Sequence, residues 1–226
     1  MTKDLLINST YRVTKKTARV STYGHLSHQT KYLWIALHGS KMLCEQMLYK
    51  FDGFDPDTHF VVAPEALNRF YADGFGGDVV ASWMTKRDRL HEIEDLTHYL
   101  NELLADYSQQ VSSDCKKIVL AFSQGGTMAH RWLHRYSVNI DYLIAYSCWI
   151  PEEIDLKASS SSFSNINCIY TYGIQDPFLT EKRIQMIKAI LKQNELPHKF
   201  ESYEGDHRVS KEQLQYLFNR YISSPE

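Results

Sequence analysis

Ser123 is the residue of this sequence best placed to act as a nucleophile. It follows the apolar run Ile118-Val119-Leu120-Ala121-Phe122 and precedes Gln124-Gly125-Gly126-Thr127-Met128. That pattern reads as a buried strand, a sharp turn and the start of a helix. Such a turn lifts the hydroxyl clear of the sheet, and the backbone N–H behind it faces any negative charge that develops nearby. A serine hydroxyl is a weak nucleophile near neutral pH, so it requires a base within hydrogen-bond reach and a carboxylate to set that base's tautomer. His207 and Asp176 suit these roles. Both follow predicted strands, both lie on loops bordered by glycine (Gly205 and Gly173), and the order Ser, Asp, His accompanies a strand-turn-helix elbow. Asp206 is the competing acid, but it adjoins His207, and neighbouring loop side chains usually diverge. The implied chemistry is two-step acyl transfer through an acyl-serine.

The remaining histidines have simpler readings. His130 and His134 stand four apart on the helix after Ser123 and could share a metal, but Arg131 replaces the glutamate of a zinc protease and no third ligand is evident. They are read as solvated helix residues, His25 and His28 as loop residues, and His91 and His98 as helix-surface ones. His38 either braces a loop or is a structural imidazole. No metal or cofactor is expected. Cys44, Cys115, Cys148 and Cys168 are scattered and three sit in or beside apolar stretches, as buried free thiols do.

The elements that must position these residues follow from apolar periodicity. A half-solvated hairpin is expected from about Tyr11 to Tyr23. Tyr32 to Leu37 is apolar without alternation, as in a strand covered on both faces, and ends in His38-Gly39-Ser40. His59 to Ala63 is a second such strand, closed by Pro64. Glu65 to Arg89 is irregular, aromatic and glycine-rich. A long amphipathic helix runs from about Asp88 to Gln110. Beyond the Ser123 helix come a strand from Tyr142 to Tyr146, a polar surface loop from Lys157 to Asn165, and a strand from Cys168 to Gly173. The next helix carries Ile184, Ile187, Ile190 and Leu191, capped by Thr180. Phe200 and Tyr203 mark the last strand, and Ser210 with Gln213 has the form of a capping box before a final helix. Alternating strands and helices imply a mostly parallel sheet with helices on both faces, in one domain over residues 1–226. His38, Ser123, Trp149, Asp176 and His207 then fall along the rim where the strands end, the usual place for ligands.

The net charge of -2 offers no field that favours nucleic acid or an anionic membrane. The apolar patch near the start is too short for a signal peptide or a membrane span, so the expected location is the cytoplasm.

The chain resembles the carboxylesterase and acyl-protein thioesterase group of the α/β-hydrolases over most of its length after about Leu33. The carriers are Leu37-His38-Gly39, Phe122-Ser123-Gln124-Gly125-Gly126, Ala81-Ser82-Trp83, Trp149-Ile150-Pro151, Gly173 with Asp176, and His207. The resemblance implies a three-layer α/β-hydrolase fold without a cap domain, Ser123 as nucleophile, Asp176 as acid and His207 as base. It also implies an oxyanion hole made by the backbone amides of Gln124 and Ser40. Two departures stand out. Ala121 replaces a glycine two residues before the serine, and Ser40-Lys41-Met42 replaces a glycine-rich continuation after Gly39. Phe70, Tyr71, Phe75, Trp83, Trp149 and Phe178 are candidates for an acyl pocket, with plain packing as the competing reading. The expected substrates are short-chain carboxylic esters. Deacylation of lipid-modified proteins or lysophospholipids is the alternative, and a catalytically silent receptor or scaffold is the alternative from another class. An exposed apolar rim would serve equally as a homodimer surface or as a substrate entrance.

Overall fold

The computed structural model describes residues 7–158 and 163–223. Its main sheet contains, in chain order, β1 (Val20–Tyr23), β2 (Tyr32–Leu37), β3 (His59–Pro64), β6 (Lys116–Phe122), β7 (Tyr142–Tyr146), β8 (Asn167–Gly173) and β9 (His198–Tyr203). They lie in the order β1-β3-β2-β6-β7-β8-β9. All neighbours pair in parallel except β1, which runs antiparallel to β3. A separate hairpin joins β4 (Asn68–Tyr71) to β5 (Val79–Ser82).

Both faces of the sheet are covered, which explains the unbroken apolar runs. On β2, Leu33, Ile35 and Leu37 enter one core, together with residues of α2 (Arg89–Ser108), α3 (Gln124–Arg135) and α4 (Glu181–Gln193). Trp34 and Ala36 enter the opposite core, with Met47 of α1 (Glu45–Leu48) and Leu214, Leu217 and Phe218 of α5 (Lys211–Tyr221). The three layers expected from the sequence are therefore present.

Three local expectations need correction. Only Val20–Tyr23 of the expected Tyr11 to Tyr23 hairpin forms a strand, because its partner is the edge of β3 rather than the preceding residues. Lys15 and Lys16 lack the positive-φ preference that a tight hairpin turn requires, and Tyr11 instead reaches α2's N-terminus, where its hydroxyl donates to Asp88 Oδ1 at 2.9 Å. The stretch expected to be irregular holds the β4–β5 hairpin; β4 is largely solvent-facing, so no apolar alternation announced it. In the loop from Lys157 to Asn165, Ser159 to Ser162 lie outside the described residues, while Phe163 is fully buried against the ring of His130.

The helix caps are also only partly as expected. Thr180 stands at the N-cap of α4 without a side-chain cap bond. Ser210 Oγ accepts from the Gln213 N–H, but the Gln213 side chain donates to Thr171 Oγ1 on β8, leaving the capping box half formed. Among the described residues, no helix is long and apolar enough to cross a membrane.

The topology creates the site. From β2 the chain moves to β3 on one side and then returns to β6 on the other, so a crevice opens where β2 and β6 end. Leu37 is in register with Ala121, which brings the loop after β2 beside Ser123.

Candidate active site

Ser123 sits between β6 and α3 with φ 52° and ψ -117°, a conformation that costs an L-residue on the order of 1–3 kcal/mol. The turn is held by the Ser123 N–H donating to Tyr146 O at 2.9 Å and by the Gly126 and Thr127 N–H groups donating to Ser123 O. α3 must approach the sheet closely to sustain this. A Cβ at Gly125 would stand 2.5 Å from His38 O, and one at Gly126 would stand 2.3 Å from Cys148 Sγ. Ala121 does not prevent the turn: its methyl group is fully buried in the core under α3. The adjacent Cys148 thiol is buried and pushed up to about 12 by desolvation, so it does not compete as a thiolate.

His207 faces Ser123, with Nε2 2.9 Å from Oγ, and its Nδ1 lies 2.6 Å from Asp176 Oδ2. The Asp176 side chain is fully buried, and its Oδ1 accepts from the N–H groups of Phe178 and Leu179 at 2.8 and 3.2 Å. Its carboxylate is thus aimed by its own loop. Asp206 turns away to pair with Arg208 Nε at 3.2 Å. The two supporting loops are drawn together: Gln175 N–H donates to Gly205 O, and a Cβ at Gly173 would stand 2.2 Å from that same oxygen. The rings of Phe122 and Phe178 pack on His207 with centroids 4.9 and 4.7 Å away.

On the other side of Ser123, the backbone N–H groups of Ser40 and Gln124 have no hydrogen-bond acceptor among the described residues. The loop carrying Ser40 is braced from below. His38 is fully buried, with Nδ1 2.7 Å from Gly39 O and Nε2 accepting from the Ala66 N–H at 3.0 Å. Those contacts fix a neutral imidazole with its proton on Nδ1, and burial lowers its pKa to about 4. His38 is therefore both a brace and a structural imidazole. Lys41 takes φ 59° where a glycine would be unstrained, and is pinned by its N–H to Ala81 O on β5.

Sequence reasoning missed the Gln124 side chain. Its Oε1 accepts from Ser82 Oγ and the Trp83 N–H, each at 3.0 Å, and its Nε2 donates to Met84 O at 2.7 Å. No periodicity signals a side chain that binds a distant backbone. A polar residue directly behind the serine was the available hint.

The six pocket candidates separate. Trp83 is fully buried and donates its indole N–H to His38 O at 2.7 Å, so it packs beneath the loop rather than lining an open pocket. Phe70 and Tyr71 lie exposed on β4, and Phe75 lies exposed in the turn that follows. Trp149 and Phe178 are partly exposed on loops beyond β7 and β8, and Phe178 touches His207.

The four cysteines are free and buried. His130 was expected in solvent but is fully buried, with Nδ1 2.7 Å from Gly126 O and Nε2 2.9 Å from the Tyr170 hydroxyl. Both nitrogens are thus engaged within the fold. Cys44, Glu45 and Glu65 bring potential metal-ligating atoms within 4.8 Å of one another. Arg19 and Arg69 pair with the two glutamates, which opposes a further cation there.

The arrangement holds a hydroxyl, an imidazole bonded to both it and a buried carboxylate, and two backbone amides without an acceptor among the described residues. Residues 56–223 match the sequence profile of the phospholipase/carboxylesterase family. The chain belongs to that family. The matched segment includes Ser123, Asp176 and His207, whereas the loop with Ser40 and Lys41 lies before it.

Solved structures share the fold of this phospholipase/carboxylesterase family member at low identity. Esterase PE8 is 22% identical, covering 92% of this chain and 100% of its own, with a TM-score of 0.67. Acyl-protein thioesterase 2 of Zea mays is 18% identical, covering 90% and 97%, with a TM-score of 0.70. A phospholipase/carboxylesterase of Dyadobacter fermentans is 17% identical, covering 94% and 99%, with a TM-score of 0.63. Comparison with curated proteins finds no significant match.

Proposed function

We propose that this hydrolase cleaves short-chain carboxylic esters through an acyl-Ser123 intermediate. The observation that carries the reading is His207, whose two nitrogens meet Ser123 Oγ at 2.9 Å and Asp176 Oδ2 at 2.6 Å. His207 Nε2 takes the Ser123 proton as Oγ attacks the ester carbonyl, while Asp176 stabilises the resulting imidazolium. The Ser40 and Gln124 N–H groups receive the oxyanion. His207 then protonates the departing alcohol, a water deprotonated by His207 attacks the acyl-enzyme, and the carboxylic acid leaves.

Short acyl chains are favoured because the regular structure described in the connection between β7 and β8 is only a short 3-10 turn, Phe163–Asn165. Among the described residues of that connection, no α-helix or strand is present to enclose a long chain. Thioesters require the same machinery, and a structural neighbour is described as an acyl-protein thioesterase. The test is turnover of 4-nitrophenyl esters from acetate to palmitate by the native protein and by Ser123→Ala. We expect highest kcat/KM at the short esters and loss of nearly all turnover in the variant; an optimum at palmitate would point to the thioesterase reading, and undiminished turnover in Ser123→Ala would exclude the mechanism.

A further inference from the structure

Beside His207 stands a cation that the acyl-transfer mechanism does not use. Arg183, in the first turn of α4, donates from Nη1 to Phe178 O at 2.6 Å. Its guanidinium carbon lies 5.3 Å from the centroid of the Trp149 ring. The Phe178 ring in turn meets the His207 ring edge-on at 4.7 Å. Arg183 is thus held by a carbonyl and an aromatic face in one contiguous wall with the base. No carboxylate among the described residues pairs with it. Nε and Nη2 make no hydrogen bond among the described residues, and a guanidinium held over an indole ring is a pre-oriented, weakly hydrated anion receptor.

The chemistry decides which part of a substrate meets this wall. The departing oxygen must accept its proton from His207 Nε2, so the alcohol half of the ester leaves on the His207 side, the side on which the Phe178 ring packs against the base. The acyl half keeps its carbonyl oxygen at the Ser40 and Gln124 amides. We propose that Arg183 and Trp149 form a subsite for an anionic group on the alcohol half, so that preferred substrates are esters of alcohols bearing a carboxylate or a phosphate. This rests on the Ser123 hydrolase reading and specifies its substrate class.

The test compares kcat/KM for 4-acetoxybenzoate and the neutral 4-acetoxybenzamide, with 4-acetoxyphenyl phosphate as a second anionic arm. In Arg183→Gln the anion-to-neutral ratio is expected to fall roughly tenfold, mainly through KM for the anionic ester, as for loss of a hydrogen bond to a charged group. Arg183→Glu should lower it further, and raising salt should erode it in the native protein only. Both esters are measured on the same sample, so partial misfolding lowers both rates and spares the ratio. A preference for one anionic arm identifies the carboxylate or the phosphate as the ligand. An unchanged ratio in Arg183→Gln overturns the subsite while leaving the hydrolase reading intact. A ratio change confined to an anion on the acyl half, tested with 4-nitrophenyl succinate against 4-nitrophenyl butyrate, overturns it as well. If the native protein cleaves none of these esters, the hydrolase reading falls with it.

Discussion

The two sides of Ser123 are built on different principles. On the acid–base side, His207 contacts both Asp176 and the serine directly, and the loops that carry the acid and the base are pulled together at Gly173 and Gly205. On the proposed oxyanion side, the groups assigned to the reaction are backbone amides, and the side chains that brace the surrounding backbone are His38, Trp83 and Gln124. The first side depends on residue identity at three positions. The second depends on keeping a backbone in place, and here the chain holds Lys41 in a left-handed conformation by bonding it to Ala81.

The largest effect should come from the acid–base side. Asp176→Asn preserves shape but allows the amide to favour the wrong His207 tautomer, and kcat should fall by about 10⁴-fold with the fold intact. A loss under about tenfold, measured by steady-state kinetics, would mean that Asp176 does not orient the base.

A smaller loss is expected opposite. Gln124→Ala leaves the Gln124 amide present but releases it from Ser82, Trp83 and Met84, so kcat should drop roughly ten- to a hundredfold with KM little changed. A rise in KM at constant kcat would assign Gln124 to substrate binding instead. Because the side chain is not in contact with the reacting atoms in this account, rescue by Gln124→Glu should be partial: the acceptor remains and the donor to Met84 O is lost.

The same division governs what was legible in the sequence. Asp176 could be preferred to Asp206 because Asp206 adjoins His207 and neighbouring loop side chains usually diverge, which is a local signal. The strands at Tyr32–Leu37 and Tyr142–Tyr146 were readable because both faces are buried and the apolar runs are unbroken. By contrast, the β4–β5 hairpin is local but solvent-facing and so lacks apolar alternation, while the buried His130 and the Gln124 clamp depend on partners far along the chain. His130 looks like any polar residue of a helix until Tyr170 and Phe163 are folded onto it. Trp83 was grouped with pocket aromatics because composition does not distinguish a ring beneath a loop from one above it.

The smallest effect concerns acid. Burial lowers His38, His59 and His130 to about 4, below their ordinary value. Between pH 6.5 and 4 the unfolded chain therefore binds protons that the folded chain excludes, and stability must decline as pH falls through that window. The urea midpoint should be lower at pH 5 than at pH 7.5. In the acid range His38 protonation also removes the acceptor for the Ala66 N–H, so the oxyanion loop should loosen as stability is lost. A midpoint that does not change over that range would contradict the neutral, tautomer-fixed imidazole assigned to His38.

The central claim is that Ser123 is an activated nucleophile, and covalent labelling tests it most directly. Exposure to a fluorophosphonate followed by intact-mass and peptide mass spectrometry should show a single adduct on Ser123, abolished in Ser123→Ala and strongly slowed in His207→Ala. No adduct on the native protein, or an adduct at another residue that persists in Ser123→Ala, would contradict the account.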